Sequence, residues 1–208
     1  MFAMKVTGRS RGGRPWSFDR TTAVETAMRL FWRHGYEGVS LGDLTRAIGV
    51  APPSLYAAFG SKAELYQAAL DHYEKTIGAL KPATLEGAMS MADAVRRLLE
   101  AALAAVVDPE RERGCMISSG MVACHPDHAA LARDAAERRA ALRRRLVGAL
   151  RPFANAEEVE RLSRHLAAVM QGLSIQARDG ASRAELQDIV DDVVAGVAAR
   201  FPKKRRPG

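Results

Sequence analysis

Residues 40–62 read SLGDLTRAIGVAPPSLYAAFGSK, and this stretch decides the fold. Ser40 is a good N-cap, and Asp43 stands three residues on, close to a capping box. Leu41, Leu44, Ala47 and Ile48 recur at helical spacing, so a helix over 40–48 turns one apolar face inward. Gly49 stops it after about two turns. Pro52 suits a first helical position, because its missing N–H would be unpaired there anyway. A second helix therefore runs over 52–58 and stops at Gly60. Two short helices joined by Gly49-Val50-Ala51 have the layout of a helix-turn-helix. The turn needs Gly49 because a left-handed residue must reverse the chain without a Cβ clash. Ser61 and Glu64 form a capping box for the next helix, over 62–79.

Upstream, Asp19 caps a helix over 19–34 that places Ala23, Ala27, Leu30 and Phe31 on one face and ends at Gly35. Leu44, Ile48 and Leu55 are expected to pack on Leu30 and Phe31, which leaves the outer face of 52–58 for a DNA major groove. Downstream, Pro82 and Gly87 break the pattern, and helices are expected over 91–107, 115–124, 127–151, 156–178 and 183–200. No alternating strand pattern and no internal repeat is found. The expected class is all-α: an N-terminal three-helix helix-turn-helix domain followed by a C-terminal helical bundle, a ligand-binding and dimerisation bundle by the family resemblance given below. The boundaries read as a basic arm at 1–18, a DNA-binding domain at 19–62, a ligand-binding and dimerisation domain at 63–200, and a basic tail at 201–208.

Charge supports this division. Of the net +7 over 208 residues, residues 1–20 carry +4 and residues 200–208 carry +5, leaving −2 for the body between them. Cationic ends on a near-neutral body favour a polyanion. Apolar residues make up 48%, enough for a packed core. The longest apolar run, Ala101–Val107, is seven residues, far short of the roughly twenty a membrane span needs. With no secretory signal in view and only two cysteines, a cytoplasmic setting is expected.

The order Arg14-Pro15, Phe18-Asp19, Leu30-Phe31-Trp32-Arg33-His34-Gly35-Tyr36-Glu37-Gly38-Val39-Ser40-Leu41, Ile48-Gly49-Val50, Ser54 through Lys62, then Leu65-Tyr66 resembles the N-terminal domain of the TetR family of bacterial transcriptional regulators. Gly114-Cys115 is similar to a pair found in one branch of that family. The resemblance implies a homodimeric, ligand-responsive repressor on double-stranded DNA, with no enzymatic activity, cofactor, metal or membrane. It implies that Ser40 binds phosphate through its hydroxyl and backbone N–H, and that Pro53, Ser54 and Ala57 face the groove. Tyr56 and Lys62 would contact phosphate, and Arg11 and Arg14 would follow the backbone or enter the minor groove. Position 51, often Ser or Thr in the family, is Ala51, which removes a side-chain cap. Ala57 and Ala58 leave few hydrogen bonds for base readout, so thymine methyl contacts and DNA shape would carry more of it.

The last two helices are the dimer candidates, through Leu162, Leu166, Val169, Leu173, Leu186, Ile189, Val190, Val193, Val194 and Val197. The resemblance further implies a cavity among the middle helices, with Met89, Met91, Leu103, Met116, Met121 and Met170 as plausible walls. An effector there would tilt the fourth helix and alter the spacing of the two recognition helices.

Other readings are weaker. Tyr56 could be a core aromatic and Lys62 a solvated lysine. A nucleoid-type binder would use the tails without a palindrome. Cys115, Cys124, His125 and His128 fit no zinc spacing, and Pro126 interrupts any helix they would share. A Cys115–Cys124 disulfide is disfavoured by the roughly 13.5 Å that nine helical residues span. A thiol sensor at one cysteine stays open. No nucleophile elbow, phosphate loop or dinucleotide fingerprint is present. The run Arg138, Arg139, Arg143, Arg144, Arg145 reads as a solvated helix face rather than an RNA surface.

Overall fold

The computed structural model describes residues 18–78 and 82–202. Among these, the chain forms α1 (Arg20–His34), α2 (Leu41–Ile48), α3 (Pro52–Phe59), α4 (Lys62–Thr76), α5 (Met91–Val106), α6 (Met116–Ser119), α7 (Ala129–Leu150), α8 (Ala156–Arg178) and α9 (Arg183–Arg200). Short 3-10 turns lie at Pro82–Leu85, Pro126–His128 and Arg151–Phe153, and no strand is formed by the described residues. No described helix is long and apolar enough to cross a membrane.

Local chemistry sets most helix ends. Asp19 accepts the backbone N–H groups of Thr21 and Thr22 at the start of α1. Ser40 and Asp43 form a full capping box on α2, as do Ser182 and Glu185 on α9. Ser61 accepts the N–H of Glu64, but the Glu64 carboxylate takes the Ser61 hydroxyl instead of completing the box on the backbone. Gly49 sits at φ 78°, ψ 34°, in the left-handed well expected of the turn.

Two apolar clusters organise the packing. One gathers Ala27, Phe31 and Trp32 of α1, Leu44, Leu55 and the inner face of α4 (Leu65, Tyr66, Leu70) against Met116, Ile117 and Leu131. The other joins α5 (Leu98, Leu99, Leu103) to α7, α8 and α9 through Leu146, Leu150, Leu166, Leu186 and Val190. Cys115 packs against both clusters. α4 thus belongs to the N-terminal core, although it follows the expected boundary at 62.

Two expected helices are shorter in the structure. α4 ends at Thr76 rather than 79, because Ile77 and Gly78 both direct their N–H groups to the carbonyl of Tyr73. The helix expected over 115–124 is a single turn. Gly120 is extended and Met121 takes φ 53°. The Arg139 guanidinium from α7 donates to the carbonyls of Ile117 and Gly120 at 3.0 and 2.9 Å. Those are the acceptors that the N–H groups of Met121 and Cys124 would need for the helix to continue. The helical-span argument against a Cys115–Cys124 bridge therefore does not apply, although both residues are free thiols.

Candidate nucleic-acid interface

α2 and α3 present a two-sided surface. Leu55 and Phe59 anchor α3, at 3% and 6% exposure, while Pro52, Pro53, Tyr56 and Ala57 point outward and Ser54 is half-buried. Tyr56 is 45% exposed, so it is not a core aromatic. Pro53, Ser54, Tyr56 and Ala57 therefore share the outer side of one helix, as expected. Ala51 makes no side-chain capping bond. Pro52 and Pro53 have no N–H, which removes two of the four donors that a helix start leaves orphaned, and Ser54 N–H reaches the Ala51 carbonyl at 3.0 Å. The start of α3 therefore has fewer donors for a cap to satisfy, and it offers few N–H groups to a phosphate.

Ser40 is exposed, but its donors are engaged. Its backbone N–H and hydroxyl both donate to Asp43 Oδ2, at 2.9 and 2.6 Å. The Ser40 hydroxyl bond holds the Asp43 carboxyl below its ordinary range, helped by the Ser40 backbone bond. Arg46, on the same helix, pairs with Asp43 at 3.4 Å and is largely exposed. The phosphate role implied for Ser40 thus requires Asp43 to give way.

Lys62 is half-buried rather than freely solvated. Its ammonium lies 4.2 Å from the centroid of the Tyr36 ring. Burial lowers its pKa, and the neighbouring Glu37 charge opposes that shift. His128 meets the same Tyr36 ring edge-on at 4.9 Å, and Glu37 accepts the His125 backbone N–H at 2.7 Å. The Tyr36-Glu37 turn is therefore a junction between the helix-turn-helix and the loop before α7. Arg11 and Arg14 lie outside the described residues, as do Lys203 to Arg206 of the basic tail.

A second junction was not visible in the sequence. Arg178, at the end of α8, donates to the carbonyls of Trp32 and Arg33 at 2.9 and 3.1 Å and to the Ser119 hydroxyl at 3.2 Å. It caps the C-terminus of α1, where the helix dipole is negative. Arg33 forms a two-point ion pair with Glu112 at 2.9 and 2.7 Å. Gly114, at φ 81°, lets the chain pass Arg178 and Ser174. A Cβ there would stand 2.5 Å from Arg178 Cγ and 2.8 Å from the Ser174 carbonyl.

The expected cavity walls divide between two spaces. Met116 and Met121 line a cavity of about 300 Å³ at the α1–α6 junction. Met170 lines a cavity of about 70 Å³ among α4, α5, α7 and α8, beside Tyr73 and Cys115. Tyr73 is held well above the ordinary tyrosine pKa by burial, reinforced by the adjacent Cys115. Met89 is a correction: it is 82% exposed in the turn before α5, where its N–H donates to Asp93. Leu103 and Met91 are buried at 0% and 3% in the α5 core, and neither lines these two cavities.

The dimer candidates need a similar correction. Leu162, Leu166, Leu173, Leu186, Val190, Val194 and Val197 are buried within the single chain, those of α9 because it packs along α5, although Leu162 and Val197 also line an outer groove between α8 and α9. Val169, Ile189 and Val193 are only partly covered. The run of five arginines is a solvated face only in part: Arg144 and Arg145 are exposed, while Arg138, Arg139 and Arg143 are partly buried. Arg138 binds Asp71, Glu74 and Asp134, Arg139 binds two carbonyls, and Arg143, Arg144 and Arg145 pair with Glu160, Glu137 and Glu74. Burial alone would lower the Arg138 pKa, but the bonds to Asp71 and Asp134 outweigh it and raise it. Among the described residues no three His, Cys, Asp or Glu side chains converge as a metal site.

Comparison with known proteins gives this geometry a context. The sequence profile described as bacterial regulatory proteins, tetR family, matches residues 23–69. The HTH-type transcriptional repressor ComR of Escherichia coli is 34% identical over 187 residues, covering 85% of this chain and 88% of its own length. A second Escherichia coli repressor, BdcR, is 29% identical over 84% of this chain and 86% of its own. Among solved structures, a cysteine mutant of the TetR family transcriptional regulator CifR, complexed with 26-base-pair operator DNA, superposes with TM-score 0.82. It is 36% identical and covers 88% of this chain and 98% of its own.

Proposed function

We infer function from one premise: this chain belongs to the tetR family of bacterial regulatory proteins, and it is a DNA-binding transcriptional regulator of that type. The finer reading proposed is a homodimeric repressor that leaves a palindromic operator when a small molecule enters the body. The observation that carries the DNA-binding part is α3. Two buried residues anchor it while Pro53, Tyr56 and Ala57 face outward, with Ser54 half-buried beside them. An eight-residue rod held this way fits a major groove, with Pro53 and Ala57 suited to thymine methyls. Lys62, Arg11 and Arg14 supply phosphate contacts, and Ser40 does so once Asp43 is displaced.

We assign the DNA-binding unit to 19–62 and the ligand-binding and dimerisation unit to 63–200, with α4 as the lever between them. Two residues separate α3 from α4, and the far end of α4 reaches the 70 Å³ cavity through Tyr73 and Glu74. An effector acts there only through its differential affinity for two positions of α4. For the dimer we propose the outward sides of α8 and α9. Arg161, His165, Asp192, Val193, Gly196 and Arg200 line an open groove of about 560 Å³ between these helices. A two-fold mate would bring its own α8 and α9 into this groove as a four-helix interface.

Selection of genomic fragments by the purified full-length chain, followed by footprinting, tests the reading. A short palindromic footprint with two protected half-sites about 34–36 Å apart, or a multiple of that, is expected. Uniform, sequence-independent protection would favour the nucleoid reading. A monomer both with and without the selected fragment would overturn the dimer.

A further inference from the structure

The 70 Å³ cavity has an apolar interior and a charged mouth. Tyr73, Ala102, Val106, Leu142 and Met170 form the interior, and Glu74, Arg138 and Arg145 stand at the mouth. Both oxygens of Glu74 are engaged, Oε2 by Arg138 at 2.6 Å and Oε1 by Arg145 at 3.4 Å. Arg138 is saturated by Asp71, Glu74 and Asp134 and is 14% exposed. Arg145 differs: among the described residues its one ion pair is the long one to Glu74, and its side chain is half exposed. The charge of Arg138 is thus spent on three carboxylates, and Arg145 is the guanidinium at the mouth with unused donors. A cationic ligand would find both oxygens of Glu74 already held by guanidiniums. A neutral ligand would leave Arg145 as it is.

We propose that this cavity binds a small monocarboxylate, its apolar tail inside and its carboxylate on Arg145. The proposal rests on the effector-release reading above and names the ligand class for that site. A carboxylate that takes Arg145 in two-point geometry replaces a 3.4 Å contact with a charge-assisted pair and detaches Arg145 from Glu74. Glu74 is on α4, so the ligand weakens one of the ties holding α4 to α7. The cavity is small, so the tail must part Leu142 and Met170 to enter, and this movement also bears on α4.

The test uses full-length protein with straight-chain carboxylates from butanoate to octanoate, benzoate, and the matching primary amides. Binding is read by calorimetry and by tryptophan emission, since Trp32 lies edge-on to Tyr73 at 4.9 Å. At least one carboxylate is expected to bind saturably, its amide at least about tenfold more weakly, and Arg145→Gln is expected to lower affinity by about tenfold or more. Ala105→Leu, which fills the interior and leaves the mouth intact, is expected to abolish binding. Circular dichroism of both variants shows that they fold, and Arg145 is exposed enough for its replacement to be tolerated. No binding by any carboxylate, equal binding of amides, or full affinity in Arg145→Gln overturns the proposal, while DNA binding by the same preparation still supports the regulator reading. Arg145-dependent carboxylate binding that leaves DNA affinity unchanged supports the site and refutes release through it.

Discussion

Replacing Arg178 by Leu tests whether the end of α8 holds the DNA-binding unit in place. The guanidinium donates to Trp32 and Arg33 carbonyls and to Ser119. Charged hydrogen bonds contribute about 1.5–3 kcal/mol each when desolvated, and water replaces much of that at exposed sites. The Trp32 contact is part-buried and counts nearly in full, and the Arg33 contact is exposed and counts for little. Leu also leaves the carbonyl end of α1 without its counter-charge, a term that overlaps with the first. Together these give a loss of about 2–3 kcal/mol, or about 4–12 °C in Tm for a chain of this size. The assay is urea unfolding at fixed protomer concentration, followed by circular dichroism and by tryptophan emission. Arg178→Lys, which restores the charge but not the fork, is expected to recover about half of the loss. A midpoint for Arg178→Leu within experimental error of the parent, at unchanged slope, would refute the idea that Arg178 ties α8 to α1.

Other outcomes follow from the same geometry. Gly114→Ala forces a Cβ into Arg178 and Ser174 at a positive φ, so a loss of about 2 kcal/mol or more is expected in thermal melts. Lys62→Ala is expected to weaken DNA binding on every sequence and to reduce the slope of log affinity against log salt by about one, and an unchanged slope removes Lys62 from the contacts. Ala51→Ser gives α3 an N-cap, but Pro53 supplies no N–H to it, so the gain stays near about 0.5 kcal/mol in melting experiments. Burial raises the Tyr66 phenol to about 12. A folded pKa above the unfolded 10.0 stabilises the fold below pH 10 and is lost as pH rises toward 12, which is measured by titrating labelled tyrosine alongside unfolding.

The N-terminal half was legible because its signals are local. Caps at Asp19, Ser40 and Ser61, the Gly49 turn and the apolar spacing of Leu44 and Leu55 each act within a few residues, and all agree with the structure. What the sequence hid depends on distant partners. Nothing near Ile117 announces that Arg139, twenty-two residues on, will take its carbonyl and cut α6 to one turn. The apolar stripe of α9 suits a partner subunit or α5 equally, and periodicity cannot choose between them. The structure gives it to α5. Gly114 was noticed only through resemblance, and its reason, the passage of Arg178, lies sixty-four residues away.

The latch at the start of α2 has a consequence for how such a protein would search a chromosome. Because Asp43 already occupies the two donors of Ser40, an arriving phosphate must evict a resident anion, and the gain is only the difference between two similar guests. A duplex in proper register recovers that cost through its other contacts, whereas a stray stretch of DNA that touches this corner alone recovers nothing. The chain would carry, in one aspartate, a toll against lingering on the wrong sequence.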